Sequence, residues 1–250
     1  MLLIIVSAVS FGSLAVLAPI AYRAGTDPVS FLFLRFAIAA AVLVVVMSAR
    51  RVDLPRGKPL LSLLLLGGLG YVTQSLVYFT ALSMTSAGLV ALLLYLYPAL
   101  VALLAVVVLK EPLTRPKLIA LGLALIGTVL TIGPSGGGRS LGIVLALTAA
   151  LLYAIYIVAG DTVMRQASAL PATTVIMVAA AVVYSGIVAI RGFKSPGTTL
   201  GWGAIFAAAI ISIVAIGTFL AGLERVGSTN AAVLSTVEPL VVVLLAALFL

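Results

Sequence analysis

Apolar residues run along this chain in stretches of about twenty, separated by short clusters of Gly, Pro and charged side chains. A bilayer core about 30 Å thick takes about 20 helical residues to cross. Nine stretches reach that length, at 2–22, 29–48, 60–80, 86–109, 116–133, 140–159, 172–190, 202–221 and 228–250. The breaks carry turn chemistry: Gly25-Thr26-Asp27-Pro28, Pro55-Arg56-Gly57-Lys58-Pro59, the glycine-rich 133–139 and Ser195-Pro196-Gly197. The pattern predicts an all-α polytopic membrane protein with nine spans. The first run has no charged n-region and no cleavage signal, and eight more runs follow it, so it reads as a retained helix and not a signal peptide.

Composition agrees with that pattern. The chain is 64% hydrophobic and 8% charged, with a mean hydropathy of +1.38, against about 25% charged residues in soluble domains. The net charge of +8 does not indicate a nucleic-acid partner, because the basic residues are scattered through the breaks between apolar runs. There is no Cys and no His. Disulfides, thiolate nucleophiles, zinc or haem ligation and imidazole chemistry are therefore excluded, and no metal or cofactor is expected.

The basic residues also predict an orientation. With the N-terminus inside, the inner loops hold nine of them: Arg50, Arg51, Arg56, Lys58, Lys110, Arg115, Lys117, Arg165 and Arg225. The outer loops hold four, Arg23, Arg139, Arg191 and Lys194, and Arg35 lies within a span. The positive-inside rule then places the N-terminus in the cytoplasm.

An internal repeat is visible. Residues 81–98 (ALSMTSAGLVALLLYLYP) and 222–239 (GLERVGSTNAAVLSTVEP) both place a small-residue opening before a helix with a mid-span proline. Pro98 and Pro239 are 141 apart, and Pro28 and Pro171, which open the second and seventh runs, are 143 apart. The alternative is chance likeness between apolar segments. Five spans per copy is an odd number, so two copies would lie in opposite orientations, a recurring transporter plan with the substrate site at the repeat interface. The halves divide as 1–133 and 140–250.

FGSLAVLAPIAYRAGTDPVSFLFLRF (Phe11 to Phe36) resembles the opening of the EamA-type repeat of the drug/metabolite transporter superfamily, with Phe11 where that family usually has Trp. Residues 78–130, including Glu111 after the fourth span, resemble the rest of that repeat, and LERVGSTNAAVLSTVEPLVVVLLAALFL resembles the matching part of the second. The resemblance implies two inverted repeats of five helices and export or exchange of small metabolites. On that ten-helix plan nine spans are present here, and the tenth is expected to be missing through truncation or replaced by a partner.

The candidate site residues are few. Glu238 falls about eleven residues into the ninth run, where a carboxylate costs at least about 2.5 kcal/mol. It binds a cationic group, takes up a coupling proton, or caps backbone groups freed beside Pro239. Pro98 and Pro239 free the carbonyls of Leu94 and Ser235 and are candidate hinges. Ser235 shares a helix face with Glu238, and Tyr97, which aligns with Glu238 across the repeat, is expected to offer its hydroxyl to the same cavity. Arg35, six residues into the second run, snorkels outward, pairs with an acid or attracts an anionic substrate group. Gln74 with Tyr78, and Tyr153 with Tyr156, each share a face and line a cavity or anchor at the interface. Gly67, Gly68, Gly70, Gly122 and Gly127 read as sites of close helix packing.

The expected function is secondary transport, in the exporting direction, of small metabolites or amino acids by alternating access at a bacterial-type inner membrane. The protein is expected as a monomer or homodimer in the lipid bilayer. No phosphate-binding GxxxxGK[ST] loop occurs. The competing reading is a membrane-embedded enzyme such as a lipid or prenyl transferase. That chemistry commonly needs clustered Asp to hold a metal–diphosphate, whereas Asp27, Asp53 and Asp161 are read into separate loops. A channel would need a ring of carbonyls or charges, and no such signal occurs.

Overall fold

The computed structural model describes residues 1–108, 140–238 and the isolated positions 110, 114, 115, 118, 119, 122, 123, 126, 241, 244 and 245. Among them, seven helices are long and apolar enough to cross a membrane. They are α1 (Leu2–Arg23), α2 (Pro28–Arg50), α3 (Lys58–Leu82), α4 (Gly88–Val108), α5 (Ser140–Met164), α6 (Ala169–Arg191) and α7 (Thr199–Val237). Most of the expected fifth run, and Glu111, Gly127 and Pro239, lie outside the described residues.

The breaks form the caps their residues suggest. Asp27 accepts from the Ser30 N–H at 2.8 Å ahead of Pro28 at the first helical position. Thr198 accepts from Gly201 N–H at 3.1 Å at the start of α7. Arg23, Arg50 and Arg191 sit in the last turns of their helices, where the helix dipole favours a cation.

Three helices depart from regular geometry. Residues Leu66–Tyr71 of α3 form a π-helical turn over the sequence LGGLGY. The helix of α4 is interrupted between Ala87–Leu94 and Tyr97–Val108, directly before Pro98. In α7, Gly227 has φ 76° and ψ 168°, a conformation that glycine adopts freely. At 39 residues α7 is about twice the length a bilayer needs, and Gly227 divides it close to the boundary expected between the eighth and ninth runs.

One expectation is corrected here. Asp161 is not in a loop: α5 continues to Met164, and Asp161 is buried on it with Arg165 at 3.5 Å one turn on. The pair lets the helix run past residue 159, where the apolar pattern alone would end it.

The helices pack in antiparallel pairs. Along α1 and α7, Ser7 donates to the Ala215 carbonyl at 2.8 Å and Gly197 N–H donates to the Ala24 carbonyl at 2.8 Å. Along α2 and α6, Ser30 Oγ accepts from Lys194 N–H at 2.9 Å, and the Phe36 and Tyr184 rings stack at 5.5 Å. Along α3 and α5, Tyr71 meets Tyr156 at 5.5 Å. Small residues allow these approaches: a Cβ on Gly67 would lie 2.6 Å from Ile176 Cα and 2.8 Å from its carbonyl oxygen. Gly122, by contrast, meets nothing within 4 Å among the described residues. Large apolar side chains such as Val45, Leu69 and Ile190 stand on the outer surface, where lipid and not water is their solvent.

Candidate functional site

Five helices and the end of α7 line a cavity of about 30 Å³. Phe11 and Leu14 come from α1, Arg35 from α2, Tyr71, Gln74, Ser75, Tyr78 and Phe79 from α3. Leu94 of α4, Tyr153 of α5 and Glu238 complete the lining. Five of the residues expected at a site therefore meet: Arg35, Gln74, Tyr78, Tyr153 and Glu238.

Arg35 is fully buried. Its Nη2 donates to Tyr71 Oη at 3.4 Å, and among the described residues its Nε and Nη1 have no hydrogen-bond partner. The guanidinium carbon lies 4.4 Å from the Phe36 ring centre and 4.8 Å from that of Phe79, so aromatic faces supply part of the missing solvation. Among the described residues no carboxylate pairs with it. Its burial corrects the expectation of snorkelling, since α6 packs on this part of α2 through the Phe36–Tyr184 stack and covers the route outward.

Glu238 is buried, also without an ion pair among the described residues. It lies eleven residues beyond the Gly227 break, and a Cβ on Gly12 would meet its carbonyl oxygen at 3.1 Å. The Tyr95 hydroxyl is beside its carboxylate but makes no hydrogen bond of good geometry among the described residues. Cavity walls thus carry a cation and an acid, each unneutralised by the other. Such groups favour a polar occupant, because an unpaired buried charge is expensive.

Tyr97 and Ser235 do not line the cavity, which corrects the expectation for them. The Tyr97 ring packs on Tyr153 at 4.6 Å, and its hydroxyl points at the Ala232 carbonyl, 3.5 Å away. Ser235 is buried in the 3₁₀ turn Ser235–Val237. Both departures follow from the irregular backbone just before the aligned prolines, which turns these positions off the face that regular helices would give. Tyr156 packs behind the cavity, against Tyr71, and its hydroxyl is buried without a partner among the described residues.

The sequence reading did not select Tyr71, Ser75 or Phe79. The π-helical turn shifts the phase of α3 and carries Tyr71 inward, and the Gly67-Gly68-Leu69-Gly70 cluster is the trace it leaves in the sequence. Tyr184 of α6 holds the segment, with its hydroxyl 3.0 Å from both Ser75 Oγ and the Val72 carbonyl. From Phe79 the aromatic contacts continue through Phe31, at 5.4 Å, to Tyr22 beside the α1–α2 turn.

The fold and the sequence both have known relatives. A solved crystal structure superposes with a TM-score of 0.76 at 23% identity, covering 98% of this chain and 88% of its own, which speaks to the fold. "Uncharacterized transporter YyaM" of Bacillus subtilis (strain 168) is 26% identical over 233 residues, 84% of this chain and 73% of that protein. Residues 1–133 and 140–250 match the EamA-like transporter family. With a helical membrane bundle built around a charged cavity, and with that match across nearly its whole length, the chain belongs to the EamA-like transporter family.

Proposed function

We propose that this protein is a secondary transporter that exports small zwitterionic metabolites of the amino-acid type by alternating access. The observation that carries the reading is the pair Arg35 and Glu238, which line one cavity without neutralising each other. Arg35 is suited to a substrate carboxylate and Glu238 to an ammonium group. Gln74 and Tyr78 add polar contacts, while Phe11, Phe79 and Tyr153 form the apolar wall.

A cavity of about 30 Å³ has room for about two waters. It is the closed state of a site that must open to either side. The helix interruptions before Pro98 and Pro239, at residues 95–96 and 235–237, are suited to be hinges for that motion. They fall at matching places when the two prolines are aligned.

The packing supports an inverted repeat of two halves, 1–133 and 140–250. If α5 and α6 are the sixth and seventh spans and α7 holds the eighth, the observed pairs are one with eight, two with seven and three with six. Exchanging each span with the one five places on returns the same three pairs. Transport would then proceed by rocking of one half against the other, with no ATP hydrolysis. The N-terminus would lie in the cytoplasm of a bacterial-type cell, with the protein in the inner membrane, by the Lys and Arg count.

The test is counterflow in proteoliposomes containing the purified protein, with a panel of labelled amino acids. Saturable uptake of at least one, driven by the same amino acid inside, is expected. Uptake that is linear in concentration for every member, or none at all, would overturn the proposal.

A further inference from the structure

A second recess lies at the other end of α2, away from the cavity. It is a groove of about 850 Å³ between the last turns of α2, the 51–57 loop, the start of α3 and the flank of α6. Its floor is apolar, formed by residues such as Val44, Leu60, Leu64, Val175 and Val178. Val44 is 47% exposed and Leu64 41% exposed, so the groove opens sideways on the lipid-facing surface. At its polar end stand Arg51 and Arg56 with the single carboxylate Asp53, and the segment 50–58 (RRVDLPRGK) holds four basic residues against that one acid. Neither arginine is paired with a carboxylate among the described residues.

We infer that this groove binds one anionic phospholipid, its acyl chain between α2 and α6 and its phosphate against Arg51 and Arg56. The two halves of the recess match the two halves of such a molecule. An apolar trough open to the bilayer is filled by hydrocarbon, while basic side chains at its end attract an anionic headgroup. A zwitterionic lipid would satisfy the trough but not the excess of positive charge. Arg51 is well placed because its backbone takes the left-handed conformation that ends α2, φ 51°, which turns the chain across the mouth of the groove. This site is separate from the substrate cavity and does not rest on the transport reading.

The test is thermal unfolding of the purified full chain in detergent, with added phosphatidylglycerol, phosphatidylcholine or inorganic phosphate. Phosphatidylglycerol is expected to raise the midpoint well beyond phosphatidylcholine, and phosphate alone to leave it unchanged. The double substitution Arg51→Gln with Arg56→Gln is expected to weaken half-maximal stabilisation by phosphatidylglycerol about 10- to 30-fold. Val44→Trp, which fills the trough and leaves both arginines in place, is expected to remove the same response. Arg191→Gln, at the opposite end of the bundle, is expected to keep it. Equal stabilisation by the two lipids, a full response to phosphate alone, or an unchanged response in Val44→Trp would overturn the assignment.

Discussion

Arg35 donates from Nη2 to Tyr71 Oη at 3.4 Å, and this is the one hydrogen bond its buried guanidinium makes among the described residues. A structural ion pair would lose about 3–5 kcal/mol when one partner is removed. An unneutralised charge kept for a ligand behaves in the opposite way, since its removal relieves a desolvation cost. Arg35→Met is therefore expected to leave stability unchanged or higher by about 1 kcal/mol, while transport falls by at least about tenfold, the equivalent of 1.4 kcal/mol of lost binding. Denaturation in detergent beside counterflow in proteoliposomes separates the two roles.

Glu238 faces the same cavity and is the acid on its wall able to exchange a proton. If proton entry drives export, acidifying the outside should accelerate efflux in the wild type. Glu238→Gln keeps the shape and fixes the group neutral, so efflux should lose its dependence on the pH gradient. Substrate exchange at equal pH on both sides should persist at a reduced rate. Uptake into inverted vesicles, whose lumen corresponds to the outside, measured across a series of lumenal pH values, decides it; an unchanged pH profile would remove Glu238 from the coupling step.

Much of the fold is legible in the sequence because lipid imposes a length on every helix, and turn residues mark where each one stops. Asp27-Pro28 and Gly57 to Pro59 end apolar runs within a few residues of the observed helix termini. The depth of Glu238 and the shared face of Gln74 and Tyr78 follow from helical spacing, and the cavity receives all three. What spacing does not give is a change of phase. Tyr71 enters the cavity through a π-helical turn, and Tyr97 is turned away from it by the interruption before Pro98. Asp161 is misread for a different reason. Its charge is paired with Arg165, one turn on and just past the last residue of α5, and the helix runs beyond its apolar stretch.

The approach of α3 to α6 rests on one missing side chain. A Cβ at position 67 would press on the backbone of Ile176, which cannot move without shifting α6. Gly67→Ala is expected to lose about 1–3 kcal/mol, the ordinary cost of overpacking a close contact. Gly186, inside α6 with open space around it, supplies the contrast. Gly186→Ala is expected to be neutral or to stabilise by up to about 1 kcal/mol, because Ala is the better helix former. Similar losses at both positions would mean that general glycine flexibility, and not contact, is what matters.

Tyr184 joins that same interface to the cavity wall. Its ring stacks on Phe36 at 5.5 Å with an interplanar angle of 8°, and its hydroxyl reaches Val72 and Ser75 just beyond the π-helical turn. The ring and the hydroxyl can be removed separately. Tyr184→Phe keeps the stack and leaves Val72 with the Ser75 hydroxyl, 3.1 Å away, as its remaining side-chain donor. Hydrogen bonds between membrane helices average about 0.6 kcal/mol and reach about 1.7, so a loss of about 1 kcal/mol is expected. Tyr184→Leu also removes the stack and should lose about 0.5–1.5 kcal/mol more. Because Gln74 and Tyr78 ride on the segment this hydroxyl holds, Tyr184→Phe should also raise the half-saturating substrate concentration while leaving Arg35 and Glu238 untouched. A stable Tyr184→Phe protein with unaltered saturation would mean that packing alone fixes the π-helical turn.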